Sequence, residues 1–213
     1  MHYSHQITNM IKTINQHALS YFNGKEISSQ VITAIEQIPR HNFVSNSPYQ
    51  DTPVQIGFNQ TISQPFIVAY MTDKLNIQSQ HKILEIGTGS GYQAAILSKL
   101  CTQVYTIERI KALVDITLPT LSQYTNIKIK VGNGYNGWNK HAPYDRIIVT
   151  AMADSIPQSL LEQLTNGGKM LIPIQSSFST GIGELKLITK ENKTFSEKSL
   201  IDVRFVPLIN SNN

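Results

Sequence analysis

The segment Lys82-Ile83-Leu84-Glu85-Ile86-Gly87-Thr88-Gly89-Ser90-Gly91-Tyr92 constrains the fold of this chain more than any other. A short apolar run carrying an acid breaks into three glycines at alternate positions, and Tyr92 to Leu100 then reads as a helix. Glycine removes the side chain where the backbone must turn tightly and approach a ligand. A helix starting there aims its unpaired N–H groups at whatever binds. The pattern predicts a nucleotide-type cofactor site at the C-terminal end of a first strand.

The spacing narrows the cofactor. A dinucleotide fingerprint reads G-x-G-x-x-G, with a pyrophosphate on the helix N-terminus. Here the spacing is G-x-G-x-G, and Glu85 stands two residues before the first glycine. A carboxylate repels a pyrophosphate and attracts a cation. S-adenosyl-L-methionine carries an ammonium and a sulfonium and no phosphate, so the acid favours it over a nicotinamide dinucleotide. Val104-Tyr105-Thr106-Ile107-Glu108 reads as a second strand ending in an acid. That acid lies roughly 20 residues after the glycines, where a carboxylate accepts both ribose hydroxyls. The glycines alone would suit any strand–turn–helix; two acids at two strand ends point to a ligand.

The 213 residues suit one domain with a full core. Residues 1–80 read as N-terminal helices and a substrate loop, 81–175 as the cofactor-binding core and 176–208 as C-terminal strands. A hydrophobic content of 40% argues against disorder. No apolar run approaches the length of a membrane span, and residues 1–20 lack the pattern of a secretory signal. The lone Cys101 has no partner for an internal disulfide. These features predict a reducing, cytoplasmic setting and no membrane partner; a monomer is expected, though nothing in the sequence fixes the oligomeric state. Cys101 closes an apolar helix and is expected to pack. The net charge is +4, but Lys and Arg are scattered without a run or stripe, which argues against a nucleic-acid partner.

Helices are expected around Ile7–Leu19, from Ser28 or Ser29 to Pro39, and over Phe66–Leu75. Asn42 to Pro65, punctuated by Pro48, Pro53, Gly57 and Pro65 and carrying Phe43, Tyr49 and Phe58, reads as a long functional loop. From Lys82 onward strands alternate with helices: strands at Lys82–Ile86, Gln103–Glu108, Ile127–Val131, Arg146–Ala151 and Lys169–Ile174, and helices at Tyr92–Leu100, Ile110–Tyr124 (interrupted at Pro119) and Pro157–Leu164. Asn166-Gly167-Gly168 reads as a helix stop. The predicted class is α/β, a Rossmann-like, mainly parallel sheet with helices on both faces. Glu184–Thr189 and Leu200–Val206 add an antiparallel edge. His41, His81 and His141 stand alone, without metal-ligand spacing, so no metal is expected. Trp138 is expected to pack.

Several elements in order complete the pattern: Thr61-Ile62-Ser63-Gln64-Pro65, Glu85 to Tyr92, Gly132-Asn133-Gly134 followed by Gly137-Trp138, Asp145 to Ala151, Gly167-Gly168-Lys169-Met170 and Phe205-Val206-Pro207-Leu208. From about Pro39 to Leu208 the chain resembles the protein-L-isoaspartate O-methyltransferase family. The glycine motif is shared by many methyltransferases; Thr-Ile-Ser-Gln-Pro is far more specific. The resemblance implies transfer of a methyl group from S-adenosyl-L-methionine to the free α-carboxylate of an L-isoaspartyl residue in a damaged protein or peptide. The ester then collapses to a succinimide, whose hydrolysis restores some normal linkages.

The resemblance also implies roles. Ser63 and Thr61 are the candidate catalytic residues, and Thr61, Ile62, Ser63 and Val206 the candidate substrate contacts. Glu85, Gly87, Thr88, Gly89, Ser90 and Gly91 would hold the methionine end, Glu108 the ribose, and Asn133 with Gly134 the adenine edge. The family usually has Asp where this chain has Asn133, whose carbonyl oxygen accepts the same bond without the charge. Gln175-Ser176-Ser177 stands where a glycine is commoner. Two other readings compete: a methyltransferase of the same fold acting on RNA or a small molecule, since fold does not fix substrate, and an adaptor that keeps the cofactor pocket without turnover.

Overall fold

The computed structural model describes residues 3–21, 24–176 and 181–210; Ser177 and the end of the C-terminal tail lie outside that range. Five strands form a parallel set: β3 (Lys82–Ile86), β4 (Gln103–Glu108), β5 (Ile127–Val131), β6 (Tyr144–Val149) and β7 (Leu164–Gln175). β8 (Gly183–Glu191) and β9 (Thr194–Val203) follow, and the sheet order is β5-β4-β3-β6-β7-β8-β9. β3 pairs in parallel with β4 and β6, β4 with β5, and β6 with β7. β7, β8 and β9 pair antiparallel. The chain runs outward from β3 to β5 and returns to the opposite side of β3 for β6. A crevice therefore opens beyond the carboxyl ends of β3 and β6, where the strand order reverses.

Strand periodicity divides the core. Ile83, Val104, Ile148 and Leu171 face one side; Leu84, Ile86, Ile107, Ile147 and Val149 face the other. The first side is covered by α1 (Ser4–Tyr21), α2 (Ser29–Glu36), α3 (Pro65–Lys74) and α4 (Tyr92–Ser98), through residues such as Ile14, Val31, Val68 and Ile96. α6 (Gln158–Glu162) covers the second side through Leu160. Cys101 is buried, with its thiol hydrogen-bonded to the Leu97 carbonyl at 3.2 Å. Trp138 packs edge-on against Tyr105 at 5.6 Å.

Four expectations need adjustment. The long loop contains an antiparallel hairpin, β1 (Val54–Gly57) and β2 (Gln60–Ile62), turning at Phe58 and Asn59. Both turn residues have positive φ, +52° and +57°, which suits the right-handed twist of a two-residue hairpin but is rare for phenylalanine. α6 ends at Glu162, and β7 already begins at Leu164 and runs through Gly167-Gly168, because Leu164 pairs with Tyr144 ahead of an irregularity in register. α5 (Lys111–Leu121) retains Pro119 inside it. The last strand starts at Thr194, six residues before the apolar stretch expected to form it, and its first six residues are exposed.

Candidate active site

The glycine turn follows β3. Gly87, Gly89 and Gly91 have φ of +95°, +53° and +85°, and Gly91 is the left-handed residue that starts α4. Its neighbours leave no room for a side chain: a Cβ on Gly91 would stand 2.8 Å from Thr117 Cγ2, and one on Gly87 would collide with Thr150 Oγ1. The turn is fastened from four directions. Gly87 N–H donates to the Ile107 carbonyl at 2.8 Å, and Thr150 Oγ1 donates to the Gly87 carbonyl at 2.8 Å. Thr117 Oγ1 donates to the Gly89 carbonyl at 2.8 Å, and Gly89 N–H donates to Glu108 Oε2 at 3.1 Å. Glu108 also accepts from Ile110 N–H at 3.0 Å. Its carboxylate is thus oriented by two backbone donors at the end of β4.

Three adjoining cavities open over the carboxyl ends of the strands. The first lies between the glycine turn and α3, lined by Gly87, Thr88, Gly89, Ser90, Tyr92 and Ile62 among others. The second runs along the other side of the turn, past Glu108, Arg109, Gly134, Ala151, Val206 and Leu208. The third is a groove of about 390 Å³ walled by Gln64, Ile67, Ile182, Asp202, Arg204 and Phe205. Thr61 lines all three, and Ser63 lines the first and third. The hairpin β1–β2 delivers them: β2 ends at Ile62, α3 begins at Pro65, and Ser63 sits in the two-residue link between.

Four sequence candidates occupy positions their motifs do not convey. Glu85 is completely buried beneath the turn and lines none of the three cavities. Its Oε2 accepts a short hydrogen bond from Thr106 Oγ1, and Thr106 Oγ1 in turn pairs with Thr88 Oγ1 at 2.7 Å. Burial pushes the Glu85 carboxyl up to about 8, against the pull of the Thr106 bond, with Glu108 adding to the rise. Near pH 7 this group is mainly a neutral acid bracing the turn from below, so the expected negative neighbour at the methionine end is not on the cavity wall. Asn133 Oδ1 caps a short turn by accepting from Tyr135 N–H at 2.9 Å, and its Nδ2 donates to Asn210 Oδ1 at 3.1 Å. Gly134 is held tight against Ile86. Val206 lies in the cavity beside Glu108, with its carbonyl accepting from Met152 N–H at 2.8 Å; its neighbour Phe205 lines the groove.

Arg40, Asp51, Gln64 and Arg204 were missed by sequence reasoning. Asp51 and Gln64 sit in the proline-punctuated loop region, whose unusual length and aromatic content were the available signal, and Arg40 stands just ahead of it. The histidines stand apart: His41 Nδ1 bonds Tyr49 OH at 2.6 Å, His81 Nδ1 accepts from Gln78 N–H at 3.0 Å, and His141 stacks on Tyr105 at 4.3 Å. Among the described residues, no three metal-ligating side chains gather at one place.

The cradle fits S-adenosyl-L-methionine. All three glycines of the turn have positive φ and two of them, Gly87 and Gly91, have no room for a Cβ, while Glu108 presents an oriented carboxylate to the same cavity. Fold and site together define a class I, Rossmann-like S-adenosyl-L-methionine-dependent methyltransferase. The family model described as protein-L-isoaspartate(D-aspartate) O-methyltransferase matches residues 12–213. Curated relatives of that name include one from Parvibaculum lavamentivorans, 46% identical over 186 residues, covering 84% of each chain. Another, from Dictyoglomus thermophilum, is 49% identical over 187 residues, covering 85% of this chain and 84% of its own. A solved Plasmodium falciparum structure described under the same activity, in complex with S-adenosyl-L-homocysteine, aligns with TM-score 0.80 and 27% identity over 93% of this chain and 98% of its own. This chain belongs to the protein-L-isoaspartate(D-aspartate) O-methyltransferase family.

Proposed function

We propose that this chain methylates the free α-carboxylate of L-isoaspartyl residues in proteins and peptides, opening their repair through a succinimide, with Ser63 orienting the acceptor. The observation that carries the reading is the position of Thr61 and Ser63, which face both the glycine-turn cavity and the groove beside it. S-adenosyl-L-methionine, when bound, supplies a methyl group on a positively charged sulfur. Gly87, Thr88, Gly89, Ser90 and Gly91 form its cradle, Glu108 is the ribose acceptor, and Gly134 with Asn133 borders the adenine. Glu85 supports that cradle from beneath.

The acceptor is an α-carboxylate, ionised well below neutral pH at about 3.5, so no side chain has to remove a proton. The chain's work is alignment and exclusion of water. Ser63 Oγ–H donates one hydrogen bond to one carboxylate oxygen and leaves the other oxygen free to attack. Thr61, two residues earlier in β2 and lining the same two cavities, is the second donor. Ile62 and Ile67 supply the apolar wall that makes those bonds worth more than they are in water. In the groove, Gln64, Arg204 and Asp202 offer polar contacts to the peptide on either side of the damaged residue, and Val206 lines the adjoining cavity beside Glu108.

Among the described residues no helix is long and apolar enough to cross a membrane. A cytoplasmic monomer is the reading that suits the buried lone thiol and the edge strand β9, where exposed Glu197 and Lys198 discourage pairing with a second sheet. The deciding experiment compares methyl transfer to an isoaspartyl peptide with its aspartyl twin, for the wild type and for Ser63→Ala. Transfer to the isoaspartyl peptide alone, reduced in Ser63→Ala while S-adenosyl-L-homocysteine still binds, is expected. Equal transfer to both peptides, or none to either, refutes the assignment.

A further inference from the structure

Two buried charged side chains flank Ser63 and take no part in the steps above. Arg40, in the short turn Arg40–Asn42 after α2, is completely buried. Its Nη2 donates to the Ser63 carbonyl at 2.8 Å, and its guanidinium lies 4.9 Å from the ring centroid of Tyr92, which lines the glycine-turn cavity. Nε and Nη1 have no hydrogen-bond partner among the described residues. A cation is therefore withdrawn from water to hold one backbone carbonyl and one ring, an arrangement that costs free energy unless it serves position.

Asp51 acts from the other side, with its side chain only 7% exposed. Oδ1 accepts from Phe66 N–H at 2.7 Å. Oδ2 accepts from Gln64 Nε2 at 2.8 Å and contacts His17 Nδ1 at 2.8 Å. Gln64, the residue just ahead of α3, makes no side-chain capping bond of its own, and Pro65 has no N–H. Asp51 therefore caps α3 from fifteen positions earlier in the chain. Its charge also faces Arg40, where it opposes the lowering of the arginine's pKa by burial.

Residues 63 and 64 belong to neither β2 nor α3. The Gln64 carbonyl accepts the first bond of α3, from Val68 N–H at 3.1 Å, but Ser63 lies outside both the strand ladder and the helix, and the seat of its hydroxyl has to be set from outside. We propose that Arg40 and Asp51 are positioning residues that clamp the Ser63 link from its two sides, Arg40 through the Ser63 carbonyl and Asp51 through Gln64 and the first turn of α3. The inference rests on the reading of Ser63 given above. His17 ties the clamp to the N-terminal helix α1.

The test is a double-mutant cycle read by steady-state kinetics with an isoaspartyl peptide: wild type, Asp51→Asn, Ser63→Ala and both together. A displaced Ser63 is expected to lower kcat/KM for the peptide by about ten- to a hundredfold in Asp51→Asn, while the dissociation constant for S-adenosyl-L-homocysteine stays within about twofold. In the Ser63→Ala background the same substitution is expected to change kcat/KM by less than about twofold, because the group it positions is gone. Fully additive losses overturn the clamp; an unaffected Ser63→Ala overturns the role of Ser63 itself. Arg40→Lys, carried through the same cycle, decides the question should Asp51→Asn fail to fold.

Discussion

Replacing Glu85 with glutamine is expected to stabilise the protein increasingly as the pH rises from about 4.5 towards 8 and to leave its stability unchanged below that window. The carboxyl is completely buried. Oε2 accepts from Thr106, and Oε1 has no hydrogen-bond partner among the described residues. Burial raises its pKa from the ordinary 4.5 to about 8. The folded state therefore holds this proton more tightly than the unfolded chain. Below pH 4.5 both states are protonated and the group costs nothing. As the pH rises towards 8 the unfolded chain releases its proton and the folded state does not, so stability falls, levelling off once the folded group also ionises. A rise of this size corresponds to a loss on the order of 5 kcal/mol across the window at 1.36 kcal/mol per pKa unit, an upper bound for a site that can relax. Glutamine matches the neutral acid in shape and keeps an oxygen for Thr106, so Glu85→Gln removes the loss. Urea denaturation of both proteins at intervals from pH 4 to pH 9 measures it. The two stability curves are expected to converge towards pH 4 and to diverge by several kcal/mol by pH 8, with the variant higher. Parallel curves would refute the reasoning, because they would mean that the carboxylate is paid for by a cation or by water reaching the turn.

Gly87→Ala is expected to weaken S-adenosyl-L-homocysteine binding by at least about tenfold in calorimetry, because a Cβ at φ +95° is strained and collides with Thr150; unchanged affinity would show that the turn can rearrange. Asn133→Asp is expected to shift that affinity by no more than about fivefold, since the oxygen that caps Tyr135 N–H is retained while the bond to Asn210 is lost; abolished binding would disprove it. Cys101, 8% exposed and with its thiol pushed up to about 12 by burial, is expected to react with a thiol reagent at pH 8 only after unfolding; rapid labelling of the folded protein would show an opening the packing does not contain.

The central strands were legible because each is a nearly unbroken apolar run, the signature of a strand covered on both faces. β3 and β4 have the residue limits read from the sequence alone, and so does β5, an edge strand that alternates as Ile127-Lys128-Ile129-Lys130-Val131 instead of running apolar. The hairpin β1–β2 was not legible, since its turn places Phe58 and Asn59 at positive φ without the glycine that usually announces such a turn. The start of β9 was hidden because Thr194 to Ser199 are exposed and have no buried face to print a pattern. Glu85 was found by its place in the motif, but the motif is silent on depth of burial, and depth decides whether the side chain is an anion or a neutral acid.

The amino-acid order by itself determined the strand–turn–helix around Gly87 and the alternation that builds a parallel sheet, because backbone sterics and apolar periodicity are local properties. Only the tertiary structure decided what surrounds Ser63. Arg40 lies 23 positions before it, and Asp51 reaches across 13 and 15 positions to Gln64 and Phe66. Hydrogen bonds over such separations depend on how helices and hairpin settle on the sheet, and spacing along the chain carries no record of that packing.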